Sequence, residues 1–260
     1  MKSLRLLPLL LILNTWKSNA QLSSHISNGS TAIGFHAGFV ALKHKNNAFE
    51  IGQKHGPYFG FSGIDIAHTN YDSWTFRYNL EMKWTMDLFH KGVEFFKGTA
   101  LDARVDFTGF TWHKLGVNVF STDNFCVGIG GSFSDYIVDI PIFANENGDF
   151  FEGQRWQEPS GWNWTAGPCL FLDYGIGDFA FNFIGSYDLT YFTPKITQDY
   201  EDLTVQIDGY EKPHFMYFDF AVNHESGVYM SFNRTLMIDN GLLENNVSRG
   251  EFKFGWRWWI

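Results

Sequence analysis

Apolar and polar residues alternate without a break from Ser73 to Leu88. The even positions, Trp74, Phe76, Tyr78, Leu80, Met82, Trp84, Met86 and Leu88, are apolar. The odd positions, Ser73, Thr75, Arg77, Asn79, Glu81, Lys83, Thr85 and Asp87, are polar or charged. A β-strand sends successive side chains to opposite faces, so this run predicts one strand with an apolar face and an ionic face. Strands of soluble sheets usually run about 5–6 residues, whereas about 9–11 tilted residues span a bilayer. A contrast sustained over this length points to the wall of a transmembrane barrel.

The same period recurs along the chain. It predicts strands at Ala32–Lys43, Tyr58–His68, Leu101–Phe107, Phe125–Ser134, Trp164–Tyr174, Asp178–Phe192, Pro213–Asn223, Gly227–Ile238 and Gly250–Ile260. The parity of Tyr58–His68 is ambiguous, and Leu101–Phe107 has room to continue to Val119. Links at 69–72, 121–124, 175–177 and 224–226 are short; those at 44–57, 89–98, 135–163, 193–212 and 239–249 are long. Outer-membrane barrels have short periplasmic turns, long outer loops and an even strand count. The expectation is therefore an all-β, up-and-down antiparallel transmembrane barrel of about ten strands, within bounds of about 8–12. The competing reading is a soluble closed barrel such as a lipocalin, with the apolar face turned inward.

The last strand adds to this. Phe252, Phe254, Trp256, Trp258 and Ile260 share one face up to the chain's end. This resembles the C-terminal strand of bacterial outer-membrane barrels, with Ile in place of the usual final Phe. The resemblance implies an outer-membrane location and recognition by the barrel assembly machinery.

Composition removes other classes. The 260-residue chain carries a net charge of −9, which argues against nucleic acid as a partner. Its mean hydropathy of −0.18 is too polar for a helical membrane protein. Lys2 and Arg5, the apolar run Leu6–Leu13 and the small residues Ser18-Asn19-Ala20 read as a secretory signal over residues 1–20. The barrel would then occupy residues 21–260. Cleavage before Gln21 resembles secretory signals common in Bacteroidota.

With the apolar face on lipid, Trp74, Phe76, Tyr78, Trp84, Phe252, Phe254, Trp256, Trp258 and Ile260 would face outward. Arg77, Glu81, Lys83, Asp87, Asp102, Arg104, Asp106, Asp188, Asp219, Lys253 and Arg257 would form a lumen polar network. A barrel near eight strands is just wide enough to be filled by side chains. Buried charges must also be paired, so these residues are expected to plug the lumen, with a narrow ion or proton path as the alternative. Cys126 and Cys169 fall on polar faces of neighbouring strands, where a lumenal disulfide or two free thiols are both open.

Two His-x-Ser segments carry candidate chemistry. His25-Ile26-Ser27-Asn28-Gly29 resembles the H-x-S-N-G signature of outer-membrane phospholipases and lipid A deacylases, and His224-Glu225-Ser226-Gly227 echoes it. The resemblance implies Ser27 or Ser226 as nucleophile and His25 or His224 as base. Placement argues against both, because each lies at the short-turn end rather than at the outer leaflet. The sequence therefore favours a non-enzymatic structural, adhesion or narrow-channel protein over a lipid-acting esterase. It carries no metal or cofactor motif. Expected partners are outer-membrane lipids and lipopolysaccharide. The acidic segment with Asp199, Glu201, Asp202, Asp208 and Glu211 reads as a solvated loop face, with divalent-cation binding as the alternative. Trp156, Trp162, Tyr200 and Tyr210 in the long loops would anchor an extracellular ligand.

Overall fold

A computed structural model of the chain describes Leu22, His25 and residues 27–46, 51–85, 106–139, 160–192, 197–200, 203–206, 212, 214–238 and 247–260. The elements are β1 (Ser30–Asn46), β2 (Ile51–Thr69), β3 (Phe76–Thr85), β4 (Asp106–Ser121), β5 (Phe125–Asp139) and β6 (Ser160–Ile176). They continue with β7 (Phe179–Phe192), β8 (Thr197–Tyr200), β9 (Leu203–Gln206), β10 (His214–His224), β11 (Val228–Ile238) and β12 (Val247–Trp259). Ten of these strands close into one antiparallel barrel in which β1 meets both β2 and β12. Strands β8 and β9 pair only with each other, between β7 and β10. Each wall strand pairs with its successor in the wall, which is up-and-down topology.

Alternation decides which face goes where. Along β11, Tyr229, Ser231, Asn233, Thr235 and Met237 are buried, while Met230, Phe232 and Arg234 are exposed. Along β12, Glu251 and Lys253 are buried, while Phe252, Phe254, Trp256 and Trp258 are exposed. Aromatic rings outside and ions inside are the arrangement of a barrel standing in hydrocarbon, because the same outer face would be insoluble in water. The lipocalin-like alternative, with rings inward, is excluded by this orientation. The wall is a transmembrane β-barrel of the outer-membrane type.

Some element bounds differ from the sequence expectation. Ser73 and Trp74 lie in the β2–β3 turn, where Trp74 takes a positive φ of 64° and is 77 % exposed. The alternation runs through this turn because an interfacial tryptophan suits a barrel rim as well as a strand. Residues 86–88 lie outside the described ones. The 44–57 link is largely strand: β1 runs to Asn46 and β2 starts at Ile51, with Leu42↔His55 and Lys43↔Lys54 in register. The 135–163 link likewise gives five residues to β5 and four to β6. Strand ends that outrun the bilayer lose their apolar face, so hydropathy hides them.

The turns at 70–75, 122–124, 177–178 and 225–227, and the chain's end at Ile260, share one mouth of the barrel. By the asymmetry of outer-membrane barrels this mouth is periplasmic. The polar lead-in does not hang free below it. Leu22 donates its N–H to the Asp123 carbonyl at 2.6 Å, and Gly29 donates to the Thr69 carbonyl at 2.8 Å. Leu22 is fully buried with Tyr71, Cys126 and Ala180. One leucine in a polar run has no periodicity to announce it, yet it anchors a strap across the opening.

Candidate functional site

The lumen is filled by two linked sets of polar side chains. In the first, Arg77 on β3 forms a forked pair with Asp173 on β6, at 2.5 and 3.1 Å. Two parallel N–H···O bonds fix both planes, which is the strong form of such a pair. Arg77 also donates to Asn118 Oδ1 at 3.2 Å and lies 4.3 Å from the centre of the Phe171 ring. Asn182 donates to Asp173, and Asn223 donates to Asn182. Arg257 then donates Nη1 to Asn223 Oδ1 at 2.5 Å, which joins the first set to the second.

The second set shares carboxylates. Arg257 Nε reaches Asp65 Oδ2 at 2.6 Å, and the Tyr229 hydroxyl donates to Asp65 Oδ1 at 2.6 Å. His36 stands between two acids, with Nδ1 3.7 Å from Asp65 and Nε2 3.5 Å from Glu81. Lys253 donates to both oxygens of Glu81, at 3.0 and 2.9 Å. Lys83 lies 3.6 Å from Glu81 and donates to Glu251, which also accepts from Arg249 Nε at 2.8 Å and Asn233 Nδ2 at 2.9 Å. Asp219 approaches Lys253 at 3.6 Å. Two glycines make the room: a Cβ on Gly34 would strike Asp65, and one on Gly63 would strike His36 and the Met82 carbonyl.

Several of the charges that face inward were absent from the sequence's candidate set: Asp65, Lys114, Asp173, Arg249 and Glu251, together with His36. Asp65 sits in the segment of ambiguous parity; Arg249 falls in the expected 239–249 link, which β12 enters from Val247; the others stand on strands whose polar faces the sequence shows only in part. Asp188 is buried too, but its partners are Ser132 and Ser186 rather than a cation. Aromatic rings also face inward: Tyr217, on the polar face that the alternation assigns it, and Trp112 and Tyr229, which the sequence does not single out. Lys83 stands 3.8 Å from the Trp112 ring centre, Lys114 4.3 Å from Tyr217 and Arg257 4.1 Å from Tyr229. Rings on the ionic face serve cations through the ring quadrupole, so they break the simple apolar-out rule.

Among the outward candidates, Phe76, Phe252, Phe254, Trp256, Trp258 and Ile260 are exposed and Tyr78 half-buried. Trp84 lies in β3 and Asp106 begins β4. Asp87, Asp102, Arg104, Trp156, Tyr210, Glu201, Asp202, Asp208 and Glu211 lie outside the described residues, as does the 1–20 leader. Asp199 and Tyr200 lie in β8 and Trp162 in β6. Cys126 and Cys169 are both free and buried. Cys126 stands opposite Asp173, so Cys169 is four residues away along β6, about 13 Å at the rise of a strand. That spacing rules out the disulfide alternative.

Both His-x-Ser segments close local turns. His25 Nδ1 lies 2.7 Å from Ser27 Oγ and accepts the Ser27 N–H at 3.3 Å. His224 Nδ1 lies 2.8 Å from Ser226 Oγ and accepts the Ser226 N–H at 3.1 Å. The first pair is buried, with the Tyr71 hydroxyl 3.4 Å from Ser27 Oγ; the second is solvent-exposed. Burial lowers the pKa of His25, against the Asp178 carbonyl and the charge of Glu225, which raise it. Burial also raises the pKa of the Tyr71 hydroxyl, helped by the charge of Asp173. Ser27, Tyr71, Arg77, Asn182, Asn223 and Arg257 line a cavity of about 60 Å³ in the lumen just inside the strap. A space of that size suits a few waters. Among the described residues no group of His, Cys, Asp and Glu is arranged to hold a metal ion.

No protein-family model matches the chain, and no curated protein matches it. Two solved structures are similar to it. One is the outer-membrane protease OmpT from Escherichia coli, at 10% identity and a TM-score of 0.45, covering 89% of this chain and 97% of that one. Another is the toluene transporter TbuX from Ralstonia pickettii, at 10% identity and a TM-score of 0.29, covering 88% and 89%. The location in the bacterial outer membrane rests on the closed wall itself, with its apolar outside and ionic inside.

Proposed function

We propose that the chain is a closed, non-enzymatic outer-membrane barrel, a structural or adhesive protein that works through its extracellular parts. The observation that carries this reading is the unbroken run of paired polar groups from Asp173 through Arg257, His36 and Glu81 to Glu251 and Arg249. A wide pore would leave such groups hydrated, whereas along this run Arg77, Arg257, Lys253, Lys83 and Arg249 each stand against a carboxylate. The strap adds a second seal at the periplasmic mouth. In this reading residues 1–20 are removed on export, and the final strand is what the assembly machinery recognises. Planar-bilayer recording tests it: the folded protein is expected to give no conductance steps above a blank membrane. Steady ohmic steps would replace the plug with a narrow channel.

A second reading, a lipid-acting esterase, is favoured by one contact, His25 Nδ1 to Ser27 Oγ beside a lumen cavity. Against it stands the identical turn at His224–Ser226, which needs no substrate to explain it. Ester and phospholipid hydrolysis by the folded wild type, lost in Ser27→Ala, would establish the esterase. Absence of hydrolysis in wild type removes it.

A further inference from the structure

Among the described residues whose side chains are placed, the apolar outer wall carries one permanent cation; its one acid, Asp135 of β5, stands opposite Trp164 and accepts from the Thr111 N–H and hydroxyl. Arg234 faces outward at mid-length on β11, between Phe232 and Leu236, with Phe218 of β10 opposite it. On its other side its register partner is Gly250 of β12, which has no side chain. A charged group on the lipid side of a barrel is costly at the bilayer centre and tolerable only near an interface. Arg234 stands four residues below the outer ends of β10 and β11, about 10 Å at strand rise and barrel tilt. Its side chain climbs toward that rim. The guanidinium donates to Ser248 Oγ at 3.3 Å, and Ser248 is two residues nearer the outer end than Gly250. A long side chain that covers apolar wall while lifting its head to the interface is the expected behaviour of arginine. What it lacks is an anion: among the described residues Arg234 pairs with no carboxylate.

The same arc of the rim carries two more donors. Lys212 spends one N–H on the Tyr191 carbonyl at 3.0 Å and, among the described residues, has two more N–H groups to give. His214, at the outer end of β10, sits 3.0 Å from the Tyr187 hydroxyl. Across the barrel, the outward residues of β5 and β6 around Phe133 and Trp164 include no Lys or Arg.

We propose that the β10–β11–β12 face binds the phosphate group of an outer-leaflet lipid. Arg234 supplies the charge-assisted hydrogen bonds, and Phe218, Phe232 and Phe252 pack against the acyl chains below. Lys212 and His214 line the rim above. Guanidinium matches phosphate geometry in two-pronged fashion, and a lipid presents that phosphate at the height the side chain reaches.

The test uses the full folded protein, extracted from bilayers and weighed intact with its retained lipids. Bilayers of phosphatidylglycerol supply a phosphate, and matched galactolipid bilayers do not. Wild type is expected to retain phosphatidylglycerol; Arg234→Leu should lose about tenfold in that occupancy, and Arg234→Lys should recover part of it. Galactolipid retention should be equal in all three. Heat-shifted gel migration confirms that each variant is folded. Equal phosphatidylglycerol retention in wild type and Arg234→Leu overturns the site. Competition by millimolar inorganic phosphate as strong as by the lipid overturns the lipid as its occupant.

Discussion

The two polar sets of the lumen solve one problem in different ways. Arg77 and Asp173 form a private pair, one guanidinium on one carboxylate, with amides bridging onward. Glu81 instead serves Lys253, Lys83 and His36 together. Burying any charge costs several kcal/mol unless its partner is well placed. A private pair fails alone, whereas a shared carboxylate takes several cations with it when lost. The second set is therefore where the lumen is most vulnerable, and the first is where it is most replaceable.

Glu81→Ala should separate the two most sharply. Removing a partner from a buried pair costs about 3–5 kcal/mol, and here Lys253 and Lys83 both lose one. Urea unfolding in lipid vesicles reads the loss; a cost under about 1 kcal/mol would mean that water already enters the upper lumen. Asp173→Asn comes next, at about 2–3 kcal/mol, because an acceptor remains for Arg77 but the charge does not. The double substitution Arg77→Met with Asp173→Leu should recover most of that, since apolar replacements of a buried pair are often neutral. No comparable rescue is expected around Glu81, because its charge is divided among strands β1, β3 and β12.

The strap responds to pH. Burial holds the His25 pKa down, so the folded state favours the neutral ring. The stability this contributes is complete above the unfolded histidine value near about 6.5 and is lost as pH falls through the lower folded value. The protection of the Leu22 and Gly29 amides, measured as exchange relative to the intrinsic rate at each pH, should therefore fall on acidification, and His25→Asn should flatten the response. Protection that rises on acidification would reverse the sign of the claim. The two His-x-Ser turns give the smallest effects. Ser27→Ala should cost about 1 kcal/mol because its hydroxyl is buried against His25 and Tyr71. Ser226→Ala, exposed, should stay within about 0.5 kcal/mol of wild type.

The period-2 pattern made most of the wall readable, because lipid outside and ions inside enforce alternation on every membrane-crossing residue. Its parity at Arg77, Glu81 and Lys83 carries straight into the lumen. Legibility fails where that constraint ends. Strand ends such as Leu42–Asn46 and Ile51–His55 stand beyond the lipid, so nothing requires an apolar face there. The inward rings of Trp112 and Phe171 carry no sign of their direction in sequence, because hydropathy cannot tell a ring serving a cation from one serving an acyl chain, whereas the parity of β10 sets Tyr217 beside Asp219 and Asn223. Asp65 was lost because Gly60, Ser62 and Gly63 blur the alternation around it. The strap was invisible because one leucine makes no pattern.

Thiol accessibility at a neighbouring pair tests the closed lumen most directly. On a background with Cys126→Ser and Cys169→Ser, Ser231→Cys places a thiol inside the barrel and Phe232→Cys places one outside. In intact vesicles, Phe232→Cys should react with a membrane-soluble maleimide, and Ser231→Cys should react with neither that reagent nor a small charged thiosulfonate. Rapid labelling of Ser231→Cys by the charged reagent would show an open aqueous pore and contradict the packed ionic lumen.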